Sequence, residues 1–318
     1  QKATYLALQN EIAAIVYSNI KSGEIPINDV YTALIGNSVI NTEHFSKAKA
    51  SDTEKNVLSV FKSRQKTTLG KIKQELTSSP EALNTMSDEV LDEFTYIISM
   101  LKDDQVLLKN EIDTSDSVYQ KWKNQKISPK EYLSYCITQH WIDISQLNVD
   151  EKYADSTEVY DALCKYILKN IKTDTEFSKI IYQYMITRGE ISPRQLCLIL
   201  FDQGVLDYDD ATVNKLKNGS LSPRDFLMKK IYNIEITPAQ LALEPCTGSC
   251  VVTDEKTGEI RAMVSYPGYD SNKLANGVDS EYFASLQHDK SSPLLNYATQ
   301  QKTAPGSTFK PVSYTHLR

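Results

Sequence analysis

Four times the chain spells out the same helix start: Ile127-Ser128-Pro129-Lys130-Glu131-Tyr132, Ile191-Ser192-Pro193-Arg194-Gln195-Leu196, Leu221-Ser222-Pro223-Arg224-Asp225-Phe226 and Ile236-Thr237-Pro238-Ala239-Gln240-Leu241. In each, a Ser or Thr hydroxyl accepts from the orphan amides of the first turn. Proline takes the first helical position, where its missing N–H costs nothing, and an acid or amide three residues after the cap can reach back to it. The apolar residue before each cap staples to the one five positions later. The copies are irregularly spaced, so they mark helix starts and not a solenoid repeat. Capping boxes without proline fit Ser51 to Glu54 and Thr173 to Glu176. The second is expected to open a helix that places Phe177, Ile181, Tyr184 and Arg188 on one face before Gly189 ends it. Eight to ten helices are expected between Ser51 and Leu243.

Breakers are scarce where these helices lie. Of 11 Gly and 11 Pro in 318 residues, half fall after residue 236, so the long upstream part reads as helical and the last quarter as turn-rich. The formal net charge of −6, with no long basic run, argues against nucleic acid as a partner. No stretch reaches the roughly 18 apolar residues that a membrane span requires, and the N-terminus lacks the pattern of a secretion signal. Five cysteines, Cys136, Cys164, Cys197, Cys246 and Cys250, are too few and too scattered for a disulfide framework, and none has the companions of a metal site. No cofactor and no metal are expected.

The charged stretch from Ser46 to Leu76 reads as a solvated helix with Val57, Leu58, Val60 and Phe61 as its core candidates. The tyrosines of the helical region, among them Tyr132, Tyr135, Tyr160, Tyr166, Tyr182 and Tyr184, read as amphipathic core filler in preference to a carbohydrate-stacking surface. His44, His140 and His288 read as surface or satisfied polar residues. After Gly248 the period changes to two. Ser249 to Thr253 forms one strand, Asp254 to Gly258 a turn, and Ile260, Ala262, Val264 and Tyr266 one face of the returning strand. Thr4 to Leu8 reads as a further strand, followed by an amphipathic helix through Ile12, Ile15, Val16 and Ile20 that Gly23 terminates.

The chemistry is concentrated in Ala304-Pro305-Gly306-Ser307-Thr308-Phe309-Lys310-Pro311. Ser and Lys three residues apart at a helix start share a face. A serine hydroxyl becomes a nucleophile when a base takes its proton, and an amine is such a base only when neutral. Bringing a lysine from about 10.4 to near 7 corresponds to roughly 4–5 kcal/mol of differential interaction, which burial, nearby positive charge and a helix N-terminus can supply. Pro311 is tolerated only in a first turn, which puts Ser307 at the mouth of the helix.

The run Val251-Val252-Thr253-Asp254 through Thr257-Gly258-Glu259-Ile260 to Ala262-Met263-Val264-Ser265-Tyr266-Pro267, then Tyr269-Asp270, Asn296, Ala298-Thr299 and Pro305 to Pro311, resembles the transpeptidase domain of penicillin-binding proteins. The resemblance covers residues 237–312, with Thr4-Tyr5-Leu6 similar to the segment that opens the same domain. The absence of a recognisable glycosyltransferase region is compatible with the class B, monofunctional type that the resemblance suggests. It implies acyl transfer on peptidoglycan stem peptides, with Ser307 as nucleophile and donor of one oxyanion N–H, Lys310 as general base, and β-lactams acylating the same serine. It also implies a place at the outer face of the bacterial cytoplasmic membrane, with the anchor in a segment missing from this chain, and divisome or elongasome proteins as partners.

The family's Ser-x-Asn and Lys-Thr-Gly elements would lie beyond Lys310 and are absent, so the chain is expected to be truncated and by itself inactive. Tyr297 stands where the family often has Arg, and Gln9 where Asp is common. The expected fold is an α-dominated α+β fragment, a partial transpeptidase fold of short antiparallel sheet plus nucleophile helix, with a large all-helical insertion. Residues 1–24 are the opening strand and helix, 25–235 the insertion, 236–312 the core segment with Ser-x-x-Lys, and 313–318 a non-native tail, which removes His316 from consideration. A solvated spacer is the favoured role for the insertion, with partner docking as the alternative. The competing functional readings are a β-lactam sensor or scaffolding relative that acylates without turnover and, more weakly, a serine β-lactamase.

Overall fold

The computed structural model describes residues 1–78, 81–149, 155–275, 277–304 and 306–316, the last with backbone alone for Thr308 and His316. It is α-dominated, with a single two-stranded antiparallel sheet among the described residues. The chain divides into two compact units, one made of residues 1–40 and 204–318, the other of residues 41–203. Residues 25–40 and 204–235, which the sequence reading groups with the helical block, belong to the first unit.

The first unit is organised by helix α1 (Lys2–Ser22), which packs against the hairpin of β1 (Gly248–Thr253) and β2 (Ile260–Tyr266). The expected strand at Thr4–Leu8 is instead the opening of α1. A helical frame lets Tyr5, Leu8 and Ile12 meet the sheet on one side, with Ile12 and Tyr266 buried together and the rings of Tyr5 and Tyr266 5.6 Å apart. A short apolar run fits either period, and here it is helical, with Tyr5 and Leu8 partly buried against the hairpin. The helix comes so close to β1 that a Cβ on Gly248 would sit 3.1 Å from Ile12 Cδ1 and 3.3 Å from Leu8 Cδ1. Gly23, at φ +88°, ends α1 as expected, and Ile12, Val16 and Ile20 are buried, while Ile15 is exposed. The unit is completed by α2 (Ile27–Gly36), by α10 (Asp210–Asn218), α11 (Pro223–Tyr232) and α12 (Pro238–Leu241), and by α13 (Ser280–His288) and α14 (Lys310–His316).

The second unit is all helical: α3 (Asp52–Thr77), α4 (Asp88–Asp103), α5 (Ser117–Lys123), α6 (Pro129–Thr138), α7 (Ser156–Ile171), α8 (Thr175–Thr187) and α9 (Pro193–Asp202), with short 3-10 turns between. With α10 to α12 this makes ten α-helices between Ser51 and Leu243 among the described residues. All four Ser/Thr-Pro caps form, and at Ser192 and Thr237 the reciprocal Gln bond is present as well. The Ser51–Glu54 box forms too, whereas α8 is capped by Asp174 and not by Thr173. A carboxylate at the cap accepts the Phe177 N–H more strongly than a hydroxyl would.

Helix α3 is not merely a solvated rod. It packs on α6, α7, α8 and α9 and buries Val57, Phe61, Ile72 and Leu76, leaving Leu58 and Val60 half-buried. Tyr132, Tyr160 and Tyr182 are core residues, and Tyr135, Tyr166 and Tyr184 donate to Asp116, Asp104 and Asp92 at 2.7–2.9 Å. Asp116 is also the N-cap of α5, so one carboxylate opens a helix and ties it to the next.

The ends of this unit are held together by Gln203. Its amide accepts from the Asn41 N–H at 2.9 Å, donates to the Asn41 carbonyl at 2.9 Å, and donates to the buried Glu54 carboxylate at 2.8 Å. Burial works to raise the Glu54 carboxyl, but hydrogen bonds with Gln203, His44 and the Ser51 N–H outweigh it and hold it below the ordinary value. Gln203→Ala is expected to destabilise this unit by about 1–3 kcal/mol, because it leaves a buried carboxylate under-satisfied and frees the two chain ends. Thermal unfolding followed by far-UV circular dichroism checks this; an unchanged transition would refute it.

Candidate functional site

The hairpin is built for a fixed register. Gly248 faces Tyr266 and Val252 faces Ala262, with an irregularity after Val252 that leads into the turn. There the Asp254 carboxylate accepts from the N–H groups of Lys256 and Thr257 and from Arg261 at 3.0–3.1 Å, which holds its carboxyl below the ordinary range. Gly258, at φ +74°, closes the turn in a region that side chains avoid. Along β2, Ala262, Val264 and Tyr266 face the core, while Ile260, expected on the same face, is exposed beyond the irregularity.

Ser265, on the opposite face of β2, carries the chain toward the motif. Its hydroxyl accepts from the Tyr297 N–H at 2.9 Å, and the Tyr297 hydroxyl donates to the Ser291 carbonyl at 2.8 Å. Asn296 organises the following turn, its side-chain oxygen accepting from the Ala298 N–H at 3.1 Å. None of these links was singled out as functional from the sequence, although Ser265, Asn296 and Ala298 all lie within the quoted motifs.

From Gly306, at φ +57°, the chain enters a 3-10 turn over Gly306–Phe309 that leads directly into α14. Pro305 lies outside the described residues. A 3-10 turn advances three residues per revolution, so positions i and i+3 eclipse. Ser307 lies on this turn and Lys310, three positions on, opens α14, while Pro311 falls in the first turn of α14 as its ring requires. Both side chains are exposed, and neither hydrogen-bonds to the other nor joins an ion pair among the described residues. Phe309, Val312 and Tyr314 of the same segment are exposed as well. Of the expected tail, residues 313–316 continue α14, and Leu317 and Arg318 lie outside the described residues.

The other candidates are positioned as follows. His44 Nδ1 pairs with buried Glu54 at 2.7 Å, and His288 Nδ1 pairs with the Ala284 carbonyl at 2.7 Å. Cys136, Cys164, Cys197 and Cys246 are buried free thiols, with burial pushing Cys246 up to about 11. Cys250 is half-buried on β1. No helix among the described residues is long and apolar enough to cross a membrane.

A cluster with no sequence signal lies inside the second unit. Arg64 of α3 makes a two-pronged contact with the buried Glu89 of α4 at 2.9 and 3.1 Å, and Arg188 adds a second guanidinium to the same carboxylate. Glu93, one turn along α4, is 2% exposed, and burial followed by repulsion from Glu89 pushes its carboxyl up to about 8.

Residues 248–316 match the family model of the penicillin binding protein transpeptidase domain. The peptidoglycan D,D-transpeptidase PbpA of Mycolicibacterium smegmatis is 44% identical over 72 residues, 22% of this chain and 15% of the relative. The peptidoglycan D,D-transpeptidase MrdA of Escherichia coli K12 is 46% identical over 61 residues, 19% of this chain and 10% of the relative. MrdA of Acinetobacter baumannii is 34% identical over 88 residues, 28% of this chain and 13% of the relative. The matched stretch thus spans about a tenth to a seventh of these relatives. No solved structure matches the chain. The hairpin, the Asn296 turn and the Ser307-containing turn occur in this order inside the matched stretch, which is similar to part of the transpeptidase domain of penicillin-binding proteins.

Proposed function

We propose that the protein carrying this segment cross-links peptidoglycan stem peptides by acyl transfer through Ser307. The hydroxyl attacks the penultimate D-Ala carbonyl, Lys310 takes its proton, the terminal D-Ala leaves, and an amine of a neighbouring strand collects the acyl group. The Ser307 N–H contributes one donor to the oxyanion. β-Lactams acylate the same oxygen, because their strained ring presents a similar carbonyl.

The observation that supports this reading is that Ser307, on the 3-10 turn, and Lys310, the first residue of α14, lie three positions apart at a helix start within the matched residues 248–316. Both side chains are exposed in this chain, so the reading requires further transpeptidase-domain residues around them to exclude water and to tune the amine. The same reading takes residues 25–235 as an insertion, and puts the protein at the outer face of the cytoplasmic membrane with the division or elongation machinery as its company. The test is covalent labelling by a fluorescent penicillin, together with release of D-Ala from a stem-peptide analogue. Both are measured on residues 1–312 joined to the remainder of a transpeptidase domain. Labelling that survives in Ser307→Ala would exclude the mechanism, and labelling without D-Ala release would favour a sensor.

A further inference from the structure

Between α4 and α5 the second unit holds a cleft of about 380 Å³. Its floor is apolar: Leu83 and Ile98 are buried and Leu91 is half-buried. Tyr119 and Trp122 of α5 line it too, and the Trp122 indole is held by stacking on Tyr132, with centroids 4.5 Å apart and planes 6° from parallel. Backbone bonds from Leu83 N–H to the Ile127 carbonyl at 3.2 Å and from Asn84 N–H to the Gln125 carbonyl at 2.9 Å fix the two segments that meet there. The cleft is therefore preformed.

Its polar complement has one sign. The charged lining residues are Lys102 and Lys123, with no carboxylate among them, in a chain whose net charge is −6. Neither ammonium is in an ion pair among the described residues, and the Trp122 indole N–H and the Tyr119 hydroxyl likewise meet no acceptor there. Lys123 is exposed and Lys102, Tyr119 and Trp122 are half-buried, so these donors border the apolar floor from the solvent side. An apolar floor rimmed by a few polar groups of one charge sign is the composition of a recognition cleft.

We propose that this cleft is a docking site for an acidic segment of a partner protein, one apolar side chain entering between Tyr119 and Trp122 while flanking carboxylates meet Lys102 and Lys123. A lipid surface is the poorer fit, because headgroup recognition relies on clusters of about four to eight basic residues on an open face. The single concavity suits one inserted side chain, with aromatic anchors of the kind that dominate interfaces. A purely solvated spacer has no use for such a cleft. The inference is independent of the chemistry assigned to Ser307.

The test titrates acetyl-Asp-Glu-Leu-Phe-Glu-Asp-amide into the full chain by isothermal calorimetry, with tryptophan emission as a second readout. Trp141 is buried, so Trp122 reports the cleft. Saturable binding is expected, weakening as salt rises. The basic counterpart acetyl-Lys-Lys-Leu-Phe-Lys-Lys-amide should bind at least about tenfold more weakly. Lys102→Glu/Lys123→Glu should reverse the order of the two peptides, with Lys123→Glu alone giving an intermediate loss and unchanged circular dichroism showing that the fold is kept. The proposal is overturned by no binding at millimolar peptide or by equal binding of the two peptides. Preferential binding of phosphatidylglycerol vesicles would point to a membrane instead, and self-association lost in the double variant would point to a second copy of the chain.

Discussion

In a chain completed with the rest of a transpeptidase domain, Ser307→Ala is expected to abolish labelling by fluorescent penicillin. Lys310→Ala should leave slow residual labelling, down by about 10²–10⁴-fold. The two sizes differ for a physical reason. Without the hydroxyl no ester can form, whereas without the amine the hydroxyl still reacts but must lose its proton to water, and a positioned base typically contributes that range. Ser307 and Lys310 are both exposed in this chain, so residues 1–318 alone should label no faster than the Lys310→Ala variant of the completed chain. Gel fluorescence against time measures all three rates. Equal rates for the completed chain and its Lys310→Ala variant would remove the lysine from the mechanism while leaving Ser307 intact.

Glu93→Gln is expected to remove a pH dependence from the helical unit. The carboxyl is buried in α4 beside Glu89 and Asp92, with Lys71 and Arg64 as the opposing charges, and it holds its proton to about 8 against an ordinary value of 4.5. Between those values the folded state binds a proton that the unfolded chain has released, so stability falls as pH rises. The contribution is fully present below about 4.5 and is lost on passing through about 8. The slope in that window approaches about 1.4 kcal/mol per pH unit. Glutamine keeps the shape of the protonated acid and cannot ionise, so the variant should be the more stable form at pH 8, by on the order of 3 kcal/mol, and should lose that advantage near pH 5. Denaturant midpoints from pH 5 to 8 decide it; parallel curves for the two proteins would show that Glu93 is ionised in both states.

What was legible in the residues was what depends on near neighbours in the chain. The Ser/Thr-Pro starts formed because a cap hydroxyl, the N–H it satisfies and the apolar staple lie within six positions. The hairpin formed because Asp254 and Gly258 make their own turn. The helix start at Ser307 to Pro311 was legible for the same reason, since one turn of backbone sets it. Thr4–Leu8 was misread as a strand because five residues carry either period, and only the hairpin face behind Tyr5 and Leu8 favours the helix. The shift of a cap from Thr173 to Asp174 is a competition between adjacent acceptors that a pattern of residue types does not rank.

Sequence alone therefore determined the helical character and the location of the hairpin, because each rests on hydrogen bonds and sterics a few residues in range. Tertiary structure decided which groups are taken out of water. Arg64, Glu89 and Arg188 are 25 to 124 positions apart and meet only when α3, α4 and α8 pack. Glu93 keeps its proton, and Lys102 and Lys123 line an apolar cleft, because desolvation and charge proximity are properties of the packed volume and leave no trace along the chain.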